Sequence, residues 1–355
     1  MKSGKHILLI SPGFPCDEND DICIPPLQDY ARSLAKPDDI KVSVITLQYP
    51  GNKSIYKWYG IDVYSCGGND SAFPKRVISW RNAVEFFKTI NNNSKVDVIH
   101  SFWLSECALL GNYLSKKFSV NHVNTMMGQE LRSTNYYLHF IKLKKMQIIS
   151  LSERQAEFLN GINYHNIKIV TWGLNTNSIP QQTISERKID VLGVGSLTKL
   201  KNYSAFLNIV HLVKKAKPEI KCAIIGDGPL KEKLQEEIKK LDLKNNVELT
   251  GTISRQQVFD FMMKSKILLH TSSFESFGMI FIEALFYGLH IISKPVGIAE
   301  KSEKWSIYNN ENEMAKEVLR LLSNTISYDP VTLYTMDKTV KSYLDIYFPV
   351  NQTIG

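Results

Sequence analysis

Two glutamates with seven residues between them, Glu275 and Glu283, are the pair in this chain best suited to polar recognition chemistry. Glu275 lies in the run Thr271, Ser272, Ser273, Phe274, Glu275, Ser276, Phe277, Gly278, directly after a strand-like segment at 266–270. Residues 279–287 read as a helix whose first amides have no intrahelical partner and would face an anionic ligand. Gly278 permits a close backbone approach there. Glu283 sits about one turn into that helix, among Phe281, Ile282, Ala284 and Leu285. A carboxylate in such company is rarely buried without a partner, and a solvated or salt-bridged glutamate reads the same way. Upstream, Gly195, Ser196 and Leu197 follow another strand-like run at 189–194, and Lys201 is read as opening the next helix, where amides and dipole favour anions. A lysine so placed can pair with a diphosphate, each charge-assisted bond contributing roughly 1.5–3 kcal/mol. A plain surface lysine fits equally. Gly226, Asp227, Gly228 and Pro229 read as a strand-to-helix turn that shapes a crevice more than it touches a ligand.

Short apolar or β-branched runs recur at 6–10, 42–47, 96–100, 121–126, 147–151 and 167–171, then at 189–194, 221–225, 246–250, 266–270 and 289–293. Amphipathic stretches separate them, which predicts βαβ units and parallel sheets. Ligands of such sheets bind beyond the carboxyl ends of the strands, and the residues above fall there. The polar stretch 175–187, with Pro180, reads as a linker between two doubly wound units. A helical pattern over 331–347 follows Pro330, and such a last helix could cross back to the first domain.

At 355 residues, two domains are expected. Apolar content of 43% and charged content of 22% are those of an ordinary globular protein. The five cysteines (Cys16, Cys23, Cys66, Cys107, Cys222) show neither a disulfide framework nor metal-ligand spacing, which points to a reducing cytoplasm. Ile7, Leu8, Leu9 and Ile10 are too short a run for a signal peptide, and no stretch is long enough to span a membrane. The net charge of +8 would favour anionic ligands or the anionic leaflet of a membrane, though a lysine-rich solvated surface accounts for it as well. Segment 136–147 mixes aromatic and basic residues like an interfacial helix; a half-buried helix end reads the same way.

The run from Glu275 to Glu283, with Phe277 and Gly278 inside it, resembles the E-x7-E motif of retaining glycosyltransferases of family 4 (glycosyl transferases group 1), which have the GT-B fold. Gly195, Ser196, Leu197 and Lys201 resemble that family's G-R-L-x-x-x-K block. Gly226, Asp227, Gly228 and Pro229 resemble its G-x-G-P turn, and Val247 to Gly251 its V-x-F-x-G strand end. Weaker similarities occur at Asp97 to His100, Ser150 to Glu153 and Trp172 to Asn175. The resemblance implies two Rossmann-like α/β domains facing across a cleft. The acceptor-side domain would be 1–172 with a crossover helix at 331–355, and the donor domain 173–330.

The resemblance also implies roles. Glu275 and Lys201 would be the catalytic pair, Glu275 holding sugar hydroxyls near the 3-position and Lys201 the departing diphosphate. Glu283 would bind the ribose. The amides of Phe277, Gly278 and Met279 would meet sugar and diphosphate; Gly13, Gly195 and Ser196 would line the phosphates, and Thr252 and Ile253 the base. Met127, Gly128 and Glu130 would lie on the sugar and acceptor side. The implied reaction is retaining transfer from a UDP- or GDP-linked sugar to a glycan or lipid-linked acceptor, in polysaccharide or glycoconjugate synthesis. No cofactor or metal, no nucleic-acid partner and at most a peripheral membrane contact are implied.

The chain departs from the family at two places. Ser196 replaces the usual arginine, so half the basic clamp is missing unless Lys199 or Arg255 substitutes. Met127 stands where the family's H-G-x-D/E motif has histidine and makes no strong hydrogen bond, which implies a changed donor preference, for instance a sugar without a 6-hydroxyl. Two rival readings remain open: a GT-B sugar-nucleotide epimerase, and a catalytically weak nucleotide-sugar-binding protein. A nicotinamide-linked oxidoreductase is disfavoured, because G-x-G-x-x-G is absent after the first strand.

Overall fold

A computed structural model describes residues 4–70, 75–128, 130, 135–141, 146–160, 167–180 and 186–349. The chain divides into two compact units, one of Met1–Asn175 with Thr335–Gly355 and one of Thr176–Tyr334. Among the described residues, no helix is long and apolar enough to cross a membrane.

The first unit is built on eight strands: β1 (Lys5–Gly13), β2 (Ile40–Tyr49), β3 (Lys53–Trp58), β4 (Ile61–Cys66), β5 (Val98–Phe102), β6 (Asn121–Thr125), β7 (Gln147–Ser150) and β8 (Ile167–Ile169). Their order is β3-β4-β2-β1-β5-β6-β7-β8, parallel throughout except that β3 pairs antiparallel with β4. β1 is buried along almost its whole length because helices cover both faces of the sheet. Of these helices, α1 (Pro25–Leu34), α2 (Lys75–Asn93), α3 (Glu106–Phe118) and α4 (Glu153–Asn160) come from the first half of the chain. One layer of the core gathers Leu8, Ile10, Ile45, Phe87, Leu110 and Leu114.

The second unit carries six strands, β9 (Ile189–Val194), β10 (Cys222–Ile225), β11 (Val247–Gly251), β12 (Ser265–His270), β13 (His290–Ser293) and β14 (Trp305–Ile307), all parallel in the order β11-β10-β9-β12-β13-β14. Helices α5 (Tyr203–Lys214), α6 (Lys231–Lys240), α7 (Arg255–Met263), α8 (Met279–Phe286) and α9 (Glu311–Ser323) flank it. Val191, Phe206, Ile224, Ile267, Ile292 and Met314 meet in its main core.

The helix expected over 331–347 begins only at Met336, as α10 (Met336–Tyr347), and the amide of Val331 bonds instead to Leu285 O at 2.9 Å. α10 belongs to the first unit. Its Tyr343 hydroxyl lies 2.9 Å from Thr125 Oγ1 and accepts from Trp172 Nε1 at 3.0 Å. Tyr347 joins Tyr30 and His100 Nδ1, each at 2.5 Å, and Thr125 closes the circuit to His100 Nε2 at 2.8 Å. His100 is therefore a satisfied core histidine. Among the described residues of 136–147, where an interfacial helix or a half-buried helix end was expected, Tyr136–His139 make one 3-10 turn, capped by Asn135, and Gln147 already starts β7. Residues 142–145 of that segment, 181–185 of the expected linker and Gln129 lie outside the described residues.

Candidate functional site

In the second unit the chain runs from β9 outward to β10 and β11, then returns to the other side of β9 for β12, β13 and β14. The switch point lies between β9 and β12, where a doubly wound sheet opens a crevice at its carboxyl edge. The two loops flanking it are the ones that carry Lys201 and Glu275. They are stitched together: Ser273 N donates to Leu200 O at 2.9 Å, and Thr271 Oγ1 donates to the carbonyls of Lys201 and Asn202 at 3.1 and 3.0 Å. Lys201 Nζ then reaches Glu275 Oε1 at 2.5 Å, both side chains being mostly buried. The strand before the loop adds a third member, His270, whose Nε2 is 3.1 Å from the same oxygen.

The electrostatics of this cluster follow from its composition. Burial alone would raise the Glu275 carboxyl, but the hydrogen bond from His270 and the Lys201 charge outweigh it and hold the group at about 2. Burial keeps the His270 imidazole below its ordinary value, against the opposing pull of Glu275. The site thus presents a carboxylate, a movable ammonium and a buried imidazole. A carboxylate of this kind can accept from sugar hydroxyls, and an ammonium beside it can follow an arriving anion.

Other expected residues cluster around the same edge. Gly226 lies so close to Gly195 that a Cβ would come within 2.0 Å of Gly195 O, and Leu197 N is bonded to Asp227 O at 2.9 Å. The glycine turn therefore props the Gly195–Ser196 loop, in keeping with its reading as a shaping element. Ser196 and Lys199 are exposed. Gly278 adopts φ +92° as the residue preceding α8, and Met279 begins that helix. Phe277 buries its ring, while its carbonyl accepts from Ile298 N at 3.0 Å. Glu283 meets Arg255 Nη2 at 3.5 Å. Thr252 is exposed and Ile253 half-buried, both just after β11.

One expectation is corrected. Lys201 does not open a helix: Asn202 takes a left-handed conformation (φ 51°), α5 starts at Tyr203, and Lys201 stays on the loop, which lets it turn toward Glu275. Arg255, one of the two candidates for the missing clamp cation, lies 3.5 Å from Glu283 through Nη2.

The first unit holds its expected residues differently. Glu130 is buried, and its carboxylate accepts from the amides of Met127 and Gly128, each at 2.7 Å. Burial nevertheless raises this carboxyl. Its oxygens thus bind the loop that carries Met127 and Gly128, both half-buried. Gly13 ends β1 with an unstrained backbone; a Cβ there would make ordinary contacts, with Cys23 Sγ at 3.4 Å and Tyr49 Cβ at 3.5 Å. The acidic loop after it is tied up as well, Asp20 accepting from Tyr49 Oη at 2.9 Å and from Cys23 N at 3.1 Å.

Sequence reasoning missed His270 and the Glu283 partnership of Arg255. A polar residue closing the apolar run Ile267, Leu268, Leu269, just before the richest loop, was the available signal for His270.

Residues 175–330 match the family model described as Glycosyl transferases group 1. An uncharacterized glycosyltransferase of Methanocaldococcus jannaschii is 25% identical over 264 residues, covering 68% of this chain and 70% of its own. The gpi3 subunit of phosphatidylinositol N-acetylglucosaminyltransferase from Schizosaccharomyces pombe is 25% identical over 275 residues, and the match spans 72% of this chain but 59% of that protein's length. Among solved structures, HepE of Anabaena in complex with UDP and glucose matches over 97% of this chain and 95% of its own, with a TM-score of 0.68 at 16% identity. Together these matches give the chain the GT-B fold, and residues 175–330 are similar to a group 1 glycosyltransferase domain.

Proposed function

We propose that this protein is a retaining, family 4 type glycosyltransferase that moves a sugar from a UDP- or GDP-linked donor to a hydroxyl of a glycan or lipid-linked acceptor. The observation that carries the reading is the meeting of Lys201 and Glu275 at the switch point of the second sheet, inside the matched region. On this reading Glu275 accepts from hydroxyls of the donor sugar and Glu283 from those of the ribose. Lys201 leaves Glu275 for the diphosphate and stabilises the charge that grows there as the bond to the sugar breaks. The anomeric carbon loses its bond to the diphosphate oxygen and gains one to the acceptor oxygen on the same face. The acceptor's proton passes to the departing diphosphate. Lysine and helix-end charge do this without a resident divalent ion, so turnover is expected to survive EDTA.

The N-acetylglucosaminyltransferase name of the S. pombe relative and the UDP bound in HepE make UDP-N-acetylglucosamine the first donor to try. Thermal unfolding against a panel of UDP- and GDP-sugars should show protection by at least one, reaching about 2.7 kcal/mol at a hundredfold excess over Kd. Glu283→Ala should abolish that protection; an unchanged shift would remove Glu283 from the site. Appearance of an epimerised nucleotide sugar with no acceptor consumed would overturn the transferase reading.

A further inference from the structure

His270 ends β12 with its side chain 4% exposed and its ring against the edge of Phe281, centroids 4.6 Å apart. Nε2 faces Glu275 Oε1 at 3.1 Å, with Ser272 Oγ 3.3 Å from the same nitrogen. Nδ1 is buried and has no hydrogen-bond partner among the described residues. The ionised carboxylate of Glu275 can only accept, so its 3.1 Å approach to Nε2 requires a proton on that nitrogen. The ring proton therefore sits on Nε2, directed at the carboxylate.

The ammonium of Lys201 and the imidazole of His270 share one oxygen, Oε1. They differ in freedom. Lys201 sits on a loop at the end of a flexible stem and is the group that the proposed transfer draws toward the diphosphate. His270 is fixed by its strand and by packing. When the lysine leaves, a mostly buried carboxylate would lose its charge partner and drift from its rotamer or take up a proton.

We propose that His270 is a positioning residue for sugar recognition: its Nε2–H holds Oε1 of Glu275 while Lys201 attends to the diphosphate, so the carboxylate stays presented to the sugar hydroxyls. The inference rests on the transferase reading above. It adds to it a fixed hydrogen-bond donor that does not touch the substrate.

The test has two arms on the full chain. In the first, nitrogen-15 NMR of histidine-labelled protein reads the His270 tautomer directly. A proton on Nε2, with a resonance that moves in Glu275→Gln, is expected; a proton on Nδ1 or a doubly protonated ring at pH 7 overturns the proposal. In the second, His270→Leu and His270→Gln are compared with the nucleotide sugar that protects the parent. Misplacing a sugar-holding group commonly costs on the order of 100-fold in rate. His270→Leu should therefore lose about that much kcat, with UDP protection and donor KM unchanged, and His270→Gln, which restores an amide N–H near the Nε2 position, should recover most of it. Equal rates for His270→Leu and the parent overturn the role, and so does a Gln variant as slow as the Leu variant. If no nucleotide sugar protects the parent, the transferase reading fails, and the tautomer arm still decides the geometry of His270 on Glu275.

Discussion

In the second unit, Glu275 and Glu283 meet cationic side chains delivered from elsewhere in the chain, Lys201 from a loop and Arg255 from the start of α7. In the first unit, Glu130 and Asp20 are held largely by the amides of their own loops. A side-chain cation can swing to an arriving anion and leave its carboxylate open to hydroxyls, whereas a backbone amide cannot leave. The first arrangement suits a binding site that changes partners, and the second suits a loop that must keep its shape. The difference locates the adjustable chemistry in the second unit and the fixed scaffold in the first.

The largest effect should come from the adjustable side. Glu275→Ala is expected to leave the protein folded while turnover falls by about 10²–10³-fold, the usual loss when one preorganised polar contact to the reacting group is removed. A steady-state assay with the protecting nucleotide sugar decides it. The counterpart change, Glu130→Ala, should strip the amides of Met127 and Gly128 of their acceptors and lower stability by about 1–3 kcal/mol, with UDP protection retained. Denaturant titration with and without UDP separates the two outcomes; loss of UDP binding in Glu130→Ala would erase the contrast.

A smaller effect is expected at Tyr343, whose hydroxyl serves Thr125 and Trp172 at once. Tyr343→Phe should cost about 1–2 kcal/mol, and hydrogen exchange should show the loosening around β5, β6 and α10 but not around β9 and β12.

The smallest test is one of pH. Glu275 is held at about 2 against an ordinary 4.5, so its contribution is complete above pH 4.5 and is lost as pH falls toward 2. Glu130 is shifted upward, so acid does not weaken its loop in the same way. The stability gap between the parent and Glu275→Gln should therefore shrink from pH 5 to pH 3. The gap between the parent and Glu130→Gln should not shrink in step.

Much of this was legible in the sequence, and the parts that were not have physical reasons. Most of the buried parallel strands announced themselves as apolar runs, because both faces of each are covered, but β4 was missed, its apolar residues being broken up by Asp62 and Ser65. β3 was missed too, since this edge strand alternates Lys53 and Lys57 with apolar residues, and β14 is only three residues long. Glu275, Glu283 and Lys201 stood out by type and spacing. Their pairings did not, because Lys201 and Glu275 are joined only by the crossing of chain that puts β9 beside β12. His270 reads as one more strand end until the loop folds Glu275 back over it. Lys201 was misplaced by a single feature, the left-handed turn at Asn202, which shifts the start of α5 without any glycine to signal it.

The first unit is discontinuous in sequence, and that has a consequence for how the chain is made. The hydroxyls of Tyr343 and Tyr347 complete a network whose other members, Tyr30, His100, Thr125 and Trp172, are synthesised long before them. The intervening chain forms the whole second unit, and at ribosomal speed its translation takes on the order of ten seconds or more. During that interval Tyr30 and Trp172 lack the surface that later covers them, while the second unit has every strand it needs. The nascent protein should therefore finish its later half first, and its earlier half should depend on chaperones until α10 emerges.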